Sequence, residues 1–342
     1  MDLDLIDLRS DTVTQADVSM RQAMADARVG DSMMGEDPTV TELESRMCSF
    51  FGFSYAAFMP SGTMSNQLAL RALSEPGDAI LAPAENHIVQ FESGALAALA
   101  GLQLISAECD AASPHVIAEH SIKGRLTAQS EFYRPPLKLV AIENTSLATA
   151  GSVYDRQRMK SLKEICHSSG LKLHIDGARI WHALDGAEQN AHWLGSCSDS
   201  LSVCFSKGLG APVGSIALLH KQDEFHRLKR FQKMYGGCMR QAGHLAAAAL
   251  HAFDFNRPRL LETHAVASYF GEFCKSQSGA HSIEYGGTNI VFAHTSGSDE
   301  TDEIVQRFKN RHGILLSKFR SNVVRAVFHI DVNSAALKER LG

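Results

Sequence analysis

Lys207 stands in the stretch Asp199–Ser215, which reads DSLSVCFSKGLGAPVGS. Residues 200–205 are small and apolar, the pattern of a short buried strand, and Ser206, Lys207, Gly208, Leu209 and Gly210 break out of it. A lysine in a desolvated pocket at a strand end has a lowered pKa, and its neutral amine can form a Schiff base with a carbonyl. A hydroxyl residue just before it, Ser206, and glycines just after it suit a phosphate lying close to the backbone. These are the needs of a lysine that holds pyridoxal phosphate. Alone, the stretch also fits an ordinary loop lysine with its head group in water, so the reading depends on partners elsewhere in the chain.

Four further segments offer such partners. Asp176 follows the apolar run 171–175 in the segment HIDGAR, and a carboxylate ending a buried strand requires a partner. A protonated pyridine nitrogen would serve, keeping the ring an electron sink; capping a helix or pairing with Arg179 would serve as well. Pro60-Ser61-Gly62-Thr63 lies between an apolar strand at 55–59 and a helix from Met64. Backbone N–H groups and hydroxyls at a helix start can grip a phosphate, the role assigned to Gly62 and Thr63, while Ser61 or Thr63 could equally be a plain N-cap. His87, just past the strand AILAP, is either solvated or stacked on the cofactor ring as an acid or base. Arg325 lies mid-strand in VVRAVFH, where a buried guanidinium needs a carboxylate from the protein or from an amino-acid substrate.

These residues are spread over alternating strand and helix signals from residue 55 to residue 219, the mark of an α/β fold with a mainly parallel sheet. Asp176 and Lys207 are about one strand–helix–strand unit apart, which puts both at the ligand-binding edge of such a sheet. The region 107–136 reads as one amphipathic helix and a surface loop, and 93–100 as a helix of small residues. Residues 1–250 form an N-terminal arm and a large α/β domain, and residues 251–342 a small C-terminal α+β domain. The chain has 342 residues, a formal net charge of -5 and no basic footprint for nucleic acid. Its seven cysteines have no paired spacing, which fits reduced thiols in the cytoplasm. No segment reads as a signal peptide or a membrane span, and no residue group reads as a metal site.

Together IDLRSDTVT, GEDPTV, PSGTMSNQ, HIDGAR, SKGLGAPVGS, GCMRQAG and NVVRAVFHIDV resemble the low-specificity L-threonine aldolases, from Leu5 to about Val332. The resemblance implies the aspartate-aminotransferase fold (fold type I) and pyridoxal 5'-phosphate as cofactor. It implies cleavage of L-β-hydroxy-α-amino acids to glycine and an aldehyde. It assigns the Schiff base to Lys207, the pyridine nitrogen to Asp176, ring stacking to His87, and the phosphate to Gly62 and Thr63 with Arg240 from a neighbouring subunit. Ser10, Arg179 and Arg325 would hold the substrate carboxylate, and the assembly would be a homotetramer of dimers with shared sites. The chain departs from the family pattern at Met34, at Ser146-Leu147 and at Tyr133. These departures favour, as the alternative, another reaction on the same scaffold: β-elimination, racemisation or transamination. A non-catalytic relative is a further class, against which the intact Lys207, Asp176 and Arg325 count.

Overall fold

The computed structural model describes residues 5–127, 131–184 and 190–342. Its large sheet has seven strands, β1 (Tyr55–Met59), β2 (Ala79–Ala82), β3 (Gln103–Ser106), β4 (Leu137–Glu143), β5 (Lys172–Gly177), β6 (Ser200–Cys204) and β7 (Ser215–Leu219). Their order is β1-β7-β6-β5-β4-β2-β3, and β7 alone runs against its neighbours. β2, β6 and β7 are buried throughout, as strands must be when helices cover both faces of a sheet. Register places Asp176 opposite Glu143 on one side and Ser202 on the other. The ends of β4, β5 and β6 therefore bring Glu143, Asp176 and Lys207 to one edge. The chain leaves β1 at the same edge to start the helix Gly62–Ala72, and leaves β2 there to reach His87.

A second sheet of four antiparallel strands runs Ser282–Tyr285, Ile290–His294, Val323–Val327, Ser317–Arg320 in spatial order. The helices Leu260–Gln277 and Ser298–His312 supply Phe270 and Phe308 to its own hydrophobic cluster, distinct from that of the large sheet. The start of the chain belongs to this smaller cluster. Ile6–Asp7 pairs in parallel with Ile314–Leu315, and Leu8 is fully buried there. Residues 9–14 then cross to the large sheet, where the Thr14 hydroxyl donates to the Lys207 carbonyl at 2.9 Å.

Two sequence expectations are corrected. The region 107–136 contains a hairpin, Cys109–Asp110 with Ser113–Ile117, ahead of the helix Glu119–Thr127. The Asp110 carboxylate accepts from Ala112 N at 2.8 Å and makes the turn, so local side-chain chemistry outweighs the small-residue composition. The helix expected over 93–100 is shortened to Ala95–Ala98, because Ser93 and Gly94 both adopt positive φ. Among the described residues no helix is long and apolar enough to cross a membrane.

The large core centres on aromatic rings: Phe51 meets Phe50 at 4.9 Å and Trp181 at 5.2 Å, and Trp181 meets Phe205 at 6.0 Å. Phe205 is the residue between β6 and Ser206, so this packing supports the Lys207 turn directly. Phe51→Ala is expected to cost about 3–5 kcal/mol, read as a lower urea midpoint at unchanged slope. A midpoint like that of the wild type would contradict the central place given to this group.

Candidate active site

Lys207 is held inside the protein, with Nζ 3.2 Å from Cys204 Sγ. Here the structure corrects the sequence reading. Burial works to lower the pKa of Lys207, but Cys204, Asp11 and Asp176 raise it and outweigh both burial and Arg179, so the net shift is upward. The reason is the density of acidic groups around the amine, which strand patterning could not show. Close backbone approach is built in at two glycines. A Cβ on Gly62 would lie 2.6 Å from Cys204 Sγ and 3.9 Å from Lys207 Nζ, and one on Gly208 would meet His182 Nε2 at 2.9 Å. His182 Nδ1 is itself 2.9 Å from His264 Nε2, and burial pushes His182 down to about 3, so this ring is neutral.

Asp176 does not pair with Arg179. Its Oδ2 accepts from Asn66 Nδ2 at 2.8 Å and its Oδ1 from Ala178 N at 3.0 Å. The same Asn66 nitrogen donates to Glu92 Oε1 at 2.9 Å. Asn66 Oδ1 accepts from His174 Nε2 at 3.1 Å, while His174 Nδ1 faces Ser200 Oγ at 2.8 Å. Burial lowers His174 to about 4, so it is neutral and can donate through one nitrogen only. His87 opens the turn His87–Gln90; its backbone N donates to Glu143 Oε2 at 2.8 Å and its Nδ1 is 3.0 Å from Glu92 Oε1. Burial lowers the His87 pKa, but the Glu92 hydrogen bond and the charges of Asp176, Glu92 and Glu143 raise it further, for a net upward shift. Glu143 is pushed up to about 7, by burial first and by Asp176 second, against two backbone N–H donors. His87, Glu92 and Asp176 lie close enough to face a cation, but the hydrogen bonds of Asn66 and His87 account for the grouping.

Arg179 forms a buried two-point ion pair with Asp11, Nε to Oδ2 at 2.8 Å and Nη2 to Oδ1 at 2.6 Å. Arg325 has no carboxylate partner among the described residues. Its Nη2 donates to the Arg9 carbonyl at 2.9 Å, its Nε to Ser317 Oγ at 3.3 Å, and its guanidinium lies over the Phe319 ring. Burial first, and then Arg179, lower it to about 10 against the pull of Asp11. Ser10 caps the turn Asp11–Val13 between these two arginines, accepting from Thr12 N. Ser61 is an N-cap, accepting from Met64 N at 3.2 Å, with Gly62 and Thr63 opening the helix.

Ser206 and Lys207 are adjacent, and Arg240 stands apart from both. Arg240 pairs with Asp31 at 2.6 Å on the loop that carries Met34. Met34 and Tyr133 are exposed, Tyr133 against Phe132, whereas Ser146 is buried and bridged to Ser152. Sequence reasoning missed Asp11, Asn66, Glu92 and Glu143. Asn66 had a usable signal, lying four residues after Gly62 on the same helix face.

The donor set fits pyridoxal phosphate: a buried amine beside a backbone cradle that a Cβ would fill, a buried carboxylate on the adjoining strand, and an imidazole at the same edge. The class defined is thus a pyridoxal phosphate enzyme of fold type I. A family profile described as "Beta-eliminating lyase" matches residues 7–296, and the chain belongs to that family of lyases. Among curated relatives, the low specificity L-threonine aldolase of Escherichia coli K12 is 35% identical over 337 residues, covering 98% of this chain and 97% of that one. Low-specificity L-threonine aldolase 1 of Arabidopsis thaliana is 34% identical, covering 96% and 92%. The solved threonine aldolase of Leishmania major superposes with a TM-score of 0.82 at 17% identity, over 98% of this chain and 97% of that one.

The Asp11–Arg179 pair generates a pH prediction. Burial acts to raise the Asp11 carboxyl, but Arg179 holds it well below the usual carboxylate range. The stabilisation is therefore complete above the unfolded pKa of about 3.9 and drains away as pH falls below it. Asp11→Ala is expected to cost about 3–5 kcal/mol at pH 7 and to flatten the acid limb of stability against pH. An acid limb as steep as the wild type's would contradict the assignment.

Proposed function

We propose that the protein cleaves L-threonine, L-allo-threonine and related L-β-hydroxy-α-amino acids to glycine and an aldehyde. The observation that carries this reading is the gathering of Lys207, Asp176 and His87 at one sheet edge, with Arg325 a half-buried cation that has no carboxylate partner among the described residues. Relatives of near-full-length similarity named L-threonine aldolase support it.

When bound, pyridoxal phosphate supplies a carbonyl that condenses with amines and a ring that takes up the electrons of the breaking Cα–Cβ bond. Lys207 would hold its carbonyl carbon, Asp176 its ring nitrogen and His87 one ring face. Ser61, Gly62, Thr63 and Ser206 would hold the phosphate, with Arg240 of a second copy. Arg325 offers the substrate carboxylate an open fork. Ser10 adds a hydroxyl, and Arg179, occupied on two nitrogens by Asp11, contributes charge and its remaining N–H groups. Holding the carboxylate fixes which bond at Cα stands across the ring, and so which bond breaks. His87, directly or through one water, takes the β-hydroxyl proton as the aldehyde leaves.

We also propose cytoplasmic location, in keeping with seven free cysteines, and assembly into a homodimer or homotetramer. The exposed Met33 and Met34 beside Arg240 fit such an interface.

Lys207→Ala is expected to abolish glycine formation, and Asp176→Ala to lower it by about three orders of magnitude through loss of the ring's electron sink. Residual turnover near the wild-type rate in either variant would overturn its role. Mixing Lys207→Ala with Arg240→Ala subunits should restore about a quarter of wild-type sites if each site is shared across a twofold dimer. No recovery on mixing two inactive variants would overturn the sharing of Arg240 between subunits, and a fully active Arg240→Ala would place Arg240 outside the site. Ammonia and a 2-oxo acid, in place of glycine and aldehyde, would identify β-elimination instead.

A further inference from the structure

Glu92 lies beside His87 with its side chain fully out of solvent. Three nitrogens converge on it: Asn66 Nδ2 at 2.9 Å and Gln67 Nε2 at 2.5 Å from the helix Gly62–Ala72, and His87 Nδ1 at 3.0 Å. No lysine or arginine pairs with it among the described residues, so His87 is its one titratable counter-charge. An ionised carboxylate only accepts hydrogen bonds, so the proton on His87 must sit on Nδ1, and Nε2 keeps its lone pair. His87 also has its backbone N tied to Glu143, which stops the ring's base from shifting along the edge.

Asn66 joins this arrangement to the other half of the site. Its amide orientation is unambiguous, because Oδ1 faces a donating His174 nitrogen and Nδ2 faces two carboxylates, Glu92 and Asp176. Asp176 Oδ2 and Glu92 Oε1 thus share one nitrogen, which hydrogen-bonds to both and keeps two like charges at a fixed separation.

We propose that Glu92 is a positioning residue: it fixes the Nδ1–H tautomer of His87, leaving Nε2 to receive the substrate's hydroxyl proton, and through Asn66 it locks that base to the Asp176 anchor. The O–H bond of the substrate breaks, the proton goes to Nε2, and the Nδ1 proton stays in the Glu92 hydrogen bond throughout. This rests on the aldol-cleavage reading, with His87 as the base. Glu92→Leu would remove the acceptor at Nδ1 and leave the ring proton free to move to Nε2, whereas Glu92→Gln would keep a carbonyl oxygen where His87 Nδ1 and Asn66 Nδ2 meet Oε1.

The test uses the full chain loaded with pyridoxal phosphate and L-allo-threonine as substrate. His87→Asn should lower kcat by about 10²–10⁴-fold. Glu92→Leu should lower kcat by about 10²–10³-fold at nearly constant KM, shift the acid limb of the rate profile to lower pH, and add nothing to His87→Asn in the double variant. Independently of turnover, long-range 1H–15N spectra of ¹⁵N-histidine protein, recorded at a pH above the acid limb and with His87 assigned by its loss in His87→Asn, should show the proton on Nδ1 in the wild type and a shift towards Nε2 in Glu92→Leu. A fully active His87→Asn would overturn the base assignment and this inference with it. An impaired His87→Asn beside an unshifted pH profile and tautomer in Glu92→Leu would overturn the inference alone. Should Glu92→Leu fail to fold, the wild-type spectrum above the acid limb decides, since a neutral ring with its proton on Nε2 there contradicts the proposal.

Discussion

Four carboxylates, Asp11, Glu92, Glu143 and Asp176, lie almost wholly out of water around one lysine, and the rest of the site is arranged to make that burial tolerable. An unmatched buried charge costs far more than a fold of this size can spare, so each acid is met by a different device. Asp11 has the arginine fork of Arg179. Glu143 has two backbone N–H donors, from His87 and Leu147, and a raised pKa. Glu92 has amides and an imidazole, and Asp176 an amide and a backbone N–H. Asp176 is the least provided for, which leaves it capacity for a protonated ring nitrogen.

That constraint also explains why the two sheets must stay together. Arg325 comes from the smaller sheet, and the segment that carries Ser10 and Asp11 begins as a strand on that sheet before reaching Arg179 on the larger one. Thr14 then ties the segment to the backbone of Lys207 itself. The substrate carboxylate is thus expected where cations from both sheets converge, and charge compensation there is a property of their contact.

Local patterns carried much of this. The apolar runs ending in Asp176 and before Lys207 are buried on both faces, so they read as continuous apolar stretches, and both residues fall where the strands end. The glycine beside Ser61 and the lone arginine in VVRAVFH were likewise readable, because residue type alone breaks the surrounding pattern. Other members were not. Glu92 belongs to an irregular loop, and the spacing from Gly62 marks only the helix face of Asn66; the importance of both arises from a three-dimensional meeting with His87 and Asp176. The pKa of Lys207 was misjudged for the same reason: burial is legible in an apolar run, whereas the charges that oppose it come from residues far away in sequence. The hairpin at 109–117 depends on one Asp turn that composition obscures.

Met34 and Tyr133 lie on the surface of the chain, and Ser146 is held in a backbone bridge. The departures from the family pattern therefore spare the group around Lys207 and bear on what surrounds it. The central claim is that this group directs cleavage between Cα and Cβ. It is tested most directly by incubating the protein, loaded with pyridoxal phosphate, with L-allo-threonine and following acetaldehyde through a coupled alcohol dehydrogenase while glycine is measured in parallel. The account predicts the two products in equal amounts; cofactor-loaded protein that consumes the amino acid without releasing acetaldehyde would contradict it.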